Sequence, residues 1–167
     1  PGAGPPPARG APLLGDDEFA AWLRLPETPG IGRDAARRLL AACGSPAAVF
    51  TTPAATLRTL VGPAAATALQ HEPATLATRL AAARQWLQGG PDRAVLALGD
   101  ATYPPRLLQT TDPPLLLYVQ GRADALLQPA VAIVGSRHPT AQGIDNARAF
   151  GQALAAQGYV VVSGLAL

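Results

Sequence analysis

From Asp16 to about Gln88, apolar positions recur every three to four residues between Pro and Gly breaks, which predicts a run of short helices. Asp16 or Asp17 is placed to cap the first, whose Phe19, Trp22 and Leu23 share one face. A second helix is expected from about Arg33 to Ala42, with Ala36, Leu39, Leu40 and Cys43 inward. Further helices fit Pro53 to Leu60, Pro63 to Gln70 and Pro73 to Leu87. Each opens on a proline, whose missing N–H costs nothing in a first turn. After Gly89-Gly90-Pro91 the period changes. Ala94 to Leu98, Leu115 to Val119, Val131 to Val134 and Tyr159 to Val162 are nearly continuous apolar runs of strand length, as in strands covered on both faces. Between the last two, Ile144, Ala147, Phe150 and Leu154 predict a helix over about Ala141 to Gln157, stopped by Gly158. Strand, helix and strand at this spacing make a βαβ unit with a parallel pair. The expected class is α/β: a small all-helical domain over 16–88, then the opening part of a parallel sheet over 89–167.

Composition adds limits. Residues 1–15 hold five prolines and four glycines with almost no apolar periodicity, the make-up of a flexible tail. The chain is 49% apolar and only 14% charged, with 36 alanines, and all 13 of its basic residues are arginine. That bias points to a GC-rich coding sequence rather than to a functional adaptation. A formal charge of +2 is too small to argue nucleic-acid binding from bulk electrostatics. One cysteine, Cys43, excludes a disulfide framework and a thiolate zinc site within the chain. No apolar run approaches the ~20 residues of a membrane span, and no basic segment precedes an apolar stretch as in a secretory signal. The expectation is a soluble, cytoplasmic protein with no membrane association. The sequence has no methionine and stops just after the pattern Val160-Val161-Val162-Ser163-Gly164, so it reads as a piece of something longer.

Two segments carry candidate chemistry. The first is Pro29-Gly30-Ile31-Gly32-Arg33, between two helical patterns. Gly30-x-Gly32-x-x-Ala35 matches a dinucleotide fingerprint, but no apolar strand precedes it, so that reading fails. A helix-hairpin-helix fits better: the tight turn presents backbone N–H groups at a helix start, where a phosphate can sit without being read for sequence. Gly30, Gly32 and Arg33 are the candidate DNA contacts, and a weaker copy follows at Leu60-Val61-Gly62-Pro63. The competing reading is a compact helical corner used for packing or protein contact, with Glu27 and Asp34 close enough to repel phosphate.

The second segment is Val131-Ala132-Ile133-Val134-Gly135-Ser136-Arg137-His138-Pro139-Thr140. In an open α/β sheet, ligands bind beyond the carboxyl ends of strands, at helix N-termini. Gly135 admits a ligand to the backbone, the Ser136 hydroxyl can donate to an oxyanion, and Arg137 offers a charged fork. Thr140 is expected to cap the next helix. No Gly-Lys-Ser/Thr follows, so this is not a nucleoside-triphosphate loop. Ser163 and Gly164, at the same end of a neighbouring strand, complete the candidate phosphate site.

The order and spacing of Asp100-x-x-Tyr103-Pro104-x-x-Leu107, Asp112-Pro113-Pro114-x-Leu116, Gly121, Ala132-Ile133-Val134-Gly135-Ser136-Arg137-x-Pro139-Thr140-x-x-Gly143, Asn146-Ala147-x-x-Phe150, Leu154-Ala155-x-x-Gly158 and Val162-Ser163-Gly164-Leu165-Ala166 resemble the DprA/Smf family of DNA-processing proteins. The resemblance implies a Rossmann-like domain preceded by a SAM-like or helix-hairpin-helix domain. It also implies a non-enzymatic protein, usually a homodimer, that binds single-stranded DNA and loads RecA during natural transformation. Gly135, Ser136 and Arg137 match the family's DNA pocket, and Ser163 and Gly164 match its second loop motif. The family motif continues beyond Leu167 as Gly-Ile-Asp and a later Ala-His.

Other chemistry finds little support. His71 and His138 have no companion acid or nucleophile at a recognisable spacing, and nothing calls for a metal or a cofactor. Cys43 fits a small core residue. Trp22 and Trp86 have the spacing of core anchors, and Tyr103 is a candidate for stacking on a base. The alternatives are a Rossmann-like hydrolase of the phosphoribohydrolase type, whose catalytic glutamate is not found here, and a pure interaction module.

Overall fold

The computed structural model describes residues 15–164; the Pro/Gly-rich segment 1–14 and Leu165, Ala166 and Leu167 lie outside the described residues. The chain divides into two compact units, the first running to Gly121 and the second from Arg122.

The first unit holds six helices: α1 (Asp16–Glu27), α2 (Arg33–Cys43), α3 (Pro46–Thr51), α4 (Ala54–Val61), α5 (Pro63–Leu69) and α6 (Leu76–Gln88). It continues with β1 (Arg93–Ala97), the one-turn α7 (Pro105–Leu108) and β2 (Leu116–Gln120). Neither expected aspartate caps α1. Gly15 is its N-cap without a side-chain bond, and Asp16, Asp17 and Glu18 lie inside the first turn, where they complement the helix dipole. Helix α3 was not legible as a separate element; Ser45 caps it by accepting from the Ala48 N–H, with Pro46 in its first turn. Helix α6 starts three residues after Pro73, because Leu76 N–H is held by the Pro73 carbonyl in a preceding turn.

One core gathers Trp22, Leu25, Ile31, Leu39, Val49, Leu57 and Leu69 with Ala97 and Leu115; a second joins Phe19 and Leu23 of α1 to Leu76 and Ala83 of α6. Arg24 crosses this packing. Its guanidinium lies 4.0 Å over the Phe50 ring and donates to the Leu69 carbonyl at 3.0 Å. Strands β1 and β2 are antiparallel, pairing Arg93 with Gln120 through Ala97 with Leu116. The expectation of one parallel sheet fails for this pair. The ribbon is a two-stranded sheet of its own, and it belongs to the helical unit because Leu96 and Ala97 are fully buried and Val95 and Leu116 pack on the second core. A two-stranded ribbon is marginal alone, and a helical surface supplies the burial it lacks. The compact unit therefore extends past the Gly89-Gly90-Pro91 break.

The second unit contains a 3-10 turn (Ala123–Leu127), then β3 (Ala130–Ala132), α8 (Ala141–Ala156) and β4 (Val160–Val162). This is the expected βαβ unit, with β3 and β4 parallel and Ala130, Val131 and Ala132 opposite Val160, Val161 and Val162. Thr140 caps α8 as expected, its hydroxyl accepting from the Gly143 N–H at 3.1 Å. The helix ends in a Schellman arrangement: Gly158, at φ +85°, donates to Ala155, and Tyr159 donates to Leu154. No described residue of this unit is buried, although the spacing of Ile144, Ala147, Phe150 and Leu154 predicts a covered stripe. Two strands of three residues offer too little surface to cover a helix of 16. Phe150 and Val134 stay exposed.

Candidate nucleic-acid interface

The parallel register of β3 and β4 carries both loop motifs to one edge. The Ile133 N–H bonds to the Val162 carbonyl at 2.9 Å, and beyond this rung the chain leaves β3 toward Gly135-Ser136-Arg137 and β4 toward Ser163-Gly164. Gly135 needs no special backbone: it is absent from the positive-φ glycines, and a Cβ built there meets no atom within 4 Å. The glycine leaves open space beside the main chain. Ser136 is engaged locally, its hydroxyl accepting from the His138 N–H at 3.1 Å and lying 3.2 Å from the His138 carbonyl. That small turn shapes the loop just before Arg137. Arg137 is exposed, and among the described residues its guanidinium has no hydrogen bond, ion pair or ring contact. It lies three residues before the Thr140 cap, so an unpartnered cation precedes the positive end of a 16-residue helix.

The hairpin in the first unit is different. Thr28 to Gly32 joins α1 to α2, with Ile31 N–H on the Thr28 carbonyl and the Ile31 side chain buried. Gly30 adopts φ +80°, where a side chain would be strained, and a Cβ added there would lie 3.6 Å from the Ala65 methyl. Gly32 is the N-cap of α2 and provides no side-chain bond to the first turn. A helix precedes these glycines, in keeping with the rejection of a dinucleotide loop. Arg33, the third predicted contact, pairs with Asp112 at 2.5 Å, and Arg37, one turn on, holds the other Asp112 oxygen at 2.5 Å. These bonds hold the Asp112 carboxyl below the usual carboxylate range, the Arg37 hydrogen bond acting most strongly. Arg38 pairs with Asp34. Asp112 comes from the loop between α7 and β2, and sequence reasoning missed its role; its place in the Asp112-Pro113-Pro114 motif was the available signal.

Tyr103 is not a stacking platform. Its ring is 3% exposed and its hydroxyl donates to the Pro114 carbonyl at 2.7 Å, while burial raises its pKa. Asp100 shapes the same corner by accepting from the Ala97 N–H at 2.7 Å. Trp22 is buried in the core; Trp86 meets the Tyr118 ring edge-on at 5.3 Å. A cavity of about 670 Å³ in the first unit is lined mainly by Leu23, Pro26, Ala83, Trp86, Leu115 and Tyr118, a feature the sequence pattern did not reveal. Among the described residues no cluster of His, Cys, Asp or Glu is arranged to hold a metal, and no helix is long and apolar enough to cross a membrane.

Comparison with known proteins bears on these motifs directly. The family model of DNA recombination-mediator protein A matches residues 94–167. Protein Smf of Escherichia coli (strain K12) is 40% identical over 81 residues, covering 48% of this chain and 21% of that protein. Protein Smf of Synechocystis sp. is 42% identical over 71 residues, covering 40% of this chain and 18% of that protein. Residues 94–167 are similar to the DprA/Smf family. The aligned stretches span about a fifth of the length of these relatives. Every predicted loop residue, from Gly135 to Gly164, falls inside the matched segment, as do Asp100, Tyr103 and Asp112. The hairpin residues Gly30, Gly32 and Arg33 lie outside it. The motifs in the matched segment thus divide into two kinds. Asp100, Tyr103 and Asp112 are tied into local structure, whereas Gly135 presents open space and Arg137 a cation with no partner among the described residues.

Proposed function

We propose that this protein binds single-stranded DNA through phosphate contacts at Gly135, Ser136, Arg137 and Thr140, with Ser163 and Gly164 on the same sheet edge. In this reading it protects incoming DNA and loads RecA onto it during natural transformation, as a homodimer in the full-length protein and without catalysing a reaction. The β3–α8–β4 unit is then the opening of a Rossmann-like sheet, and α1 to α6 form a SAM-like or helix-hairpin-helix domain whose Gly30-Gly32-Arg33 turn is a second, weaker DNA contact. The observation that supports this most is the state of Arg137: an exposed guanidinium with no partner among the described residues, beside an open glycine and before a capped helix start. Such a group gains charge-assisted bonds to phosphate and releases condensed counterions, without reading bases.

The test is fluorescence anisotropy on labelled poly-dT across a salt series, in the full-length protein. Arg137→Ala should weaken binding about tenfold, the low end for a charge-assisted contact at an exposed site. It should also flatten the slope of log affinity against log salt by ~0.7, one phosphate on a single strand. Arg137→Lys should recover only part, because a point charge does not reproduce the fork. Unchanged affinity and slope in a folded Arg137→Ala protein would overturn the reading. Incubation with nucleotides should release no base or sugar; release would place the protein among hydrolases instead.

A further inference from the structure

The two arginine sites differ in one respect: Arg137 has no partner among the described residues, whereas Arg33 and Arg37 together grip a carboxylate of their own chain. Asp112 offers one oxygen to each guanidinium, both at 2.5 Å, from a loop 75 residues beyond Arg37 in sequence. Two arginines converging on two oxygens is also the geometry that recognises a phosphate. The grip is not sealed. The side chains of Arg33 and Asp112 are 57% and 39% exposed, so solvent and a larger anion reach it. Arg33 and Arg37 sit one turn apart at the start of α2, an 11-residue helix with no side-chain cap, so the backbone dipole adds to their field.

We infer that Asp112 occupies from within the chain an anion site formed by Arg33 and Arg37, and that a phosphate of a single-stranded DNA backbone displaces it there. The hairpin would then be a gated contact: closed by Asp112 in the free protein, opened by a strand already held elsewhere. This inference rests on the hairpin as a DNA contact. The other charges facing the grip fit a gate of modest strength. Asp34 engages Arg38 and stands 3.8 Å from Arg37, which leaves Asp112 the closer acid on both Arg33 and Arg37.

The experiment compares full-length protein with Asp112→Asn, which keeps shape and removes charge, by anisotropy on labelled poly-dT across a salt series. Asp112→Asn should bind about three- to tenfold more tightly at low salt, the scale of two exposed ion pairs released from competition. Its salt slope should steepen by ~0.7 for each arginine that gains a phosphate. Adding Arg37→Ala to Asp112→Asn should abolish the gain. If Arg33→Ala and Arg37→Ala weaken binding but Asp112→Asn does not tighten it, the hairpin contacts DNA and the gate is wrong. If none of the three changes binding, the hairpin reading itself fails. Weaker binding by a folded Asp112→Asn protein would make Asp112 a support for the arginines and overturn the gate. Should Asp112→Asn not fold, nuclear magnetic resonance on the unmutated protein decides. Poly-dT should then shift the Nε signals of Arg33 and Arg37 and the carboxyl carbon of Asp112, and a stationary Asp112 signal would refute displacement.

Discussion

Tyr103 separates a structural from a functional motif residue, and two substitutions tell the roles apart. Its ring is 3% exposed, its hydroxyl donates to the Pro114 carbonyl at 2.7 Å, and its N–H bonds the Asp100 carbonyl at 2.9 Å. Tyr103→Phe keeps the ring and deletes one bond. The net value of such a bond is about 0.5–1.5 kcal/mol, rising toward ~3 when the partner is left buried without a replacement. Pro114 is only half-buried, so a loss of about 1–2 kcal/mol is expected. Urea unfolding followed by tryptophan fluorescence measures it, because both tryptophans, Trp22 and Trp86, lie in the unit that contains Tyr103. Tyr103→Leu removes the ring as well and should cost about 2–4 kcal/mol of stability. Neither change should alter poly-dT affinity in protein that remains folded. A base-stacking residue would behave oppositely, since losing one stack costs about 1–3 kcal/mol of binding. A folded Tyr103→Leu protein that binds DNA tenfold more weakly would therefore refute the assignment. Alkaline pH gives a second check. Burial raises the Tyr103 pKa above its ordinary value, so its contribution is fully present below about pH 10. Above that the unfolded chain loses its proton first, and stability falls as pH climbs through the folded value. Burial also raises Tyr118, so the difference between wild type and Tyr103→Phe isolates Tyr103.

Leu39→Ala, at a fully buried position of α2, should cost about 2–5 kcal/mol by the same urea assay, and a loss below ~1 kcal/mol would contradict the core described here. Glycine substitutions should split by backbone. Gly62→Ala, at φ +83° and ψ 166° between α4 and α5, should cost about 1–3 kcal/mol. Gly135→Ala should leave the circular dichroism melt unchanged while weakening poly-dT binding, and a large shift in the melt would show that Gly135 serves the fold.

The local code settled much of this chain. Apolar spacing located α1, α2, α4 and α5, with Ala36 and Leu39 inward, because a face repeating every three to four residues can be buried only as a helix. The four apolar runs became the four strands, and Thr140 and Gly158 marked the ends of α8 through bonds spanning only a few residues. The Gly135-Ser136-Arg137 loop stood out for the same reason: its position between strand and helix is written in consecutive residues. Only the tertiary structure decided which strands pair. Ala94 to Leu98 and Leu115 to Val119 look as apolar as Val160 to Val162, yet they form an antiparallel ribbon on the helical unit, because Leu96, Ala97 and Leu115 find burial there. It also decided which polar groups are free. Arg33 and Arg137 are equivalent in sequence, each beside a glycine or serine near a helix start. The chain path brings Asp112 to Arg33, and brings no described partner to Arg137. Pairing across tens of residues depends on where packing sends a loop, and no local pattern carries that information.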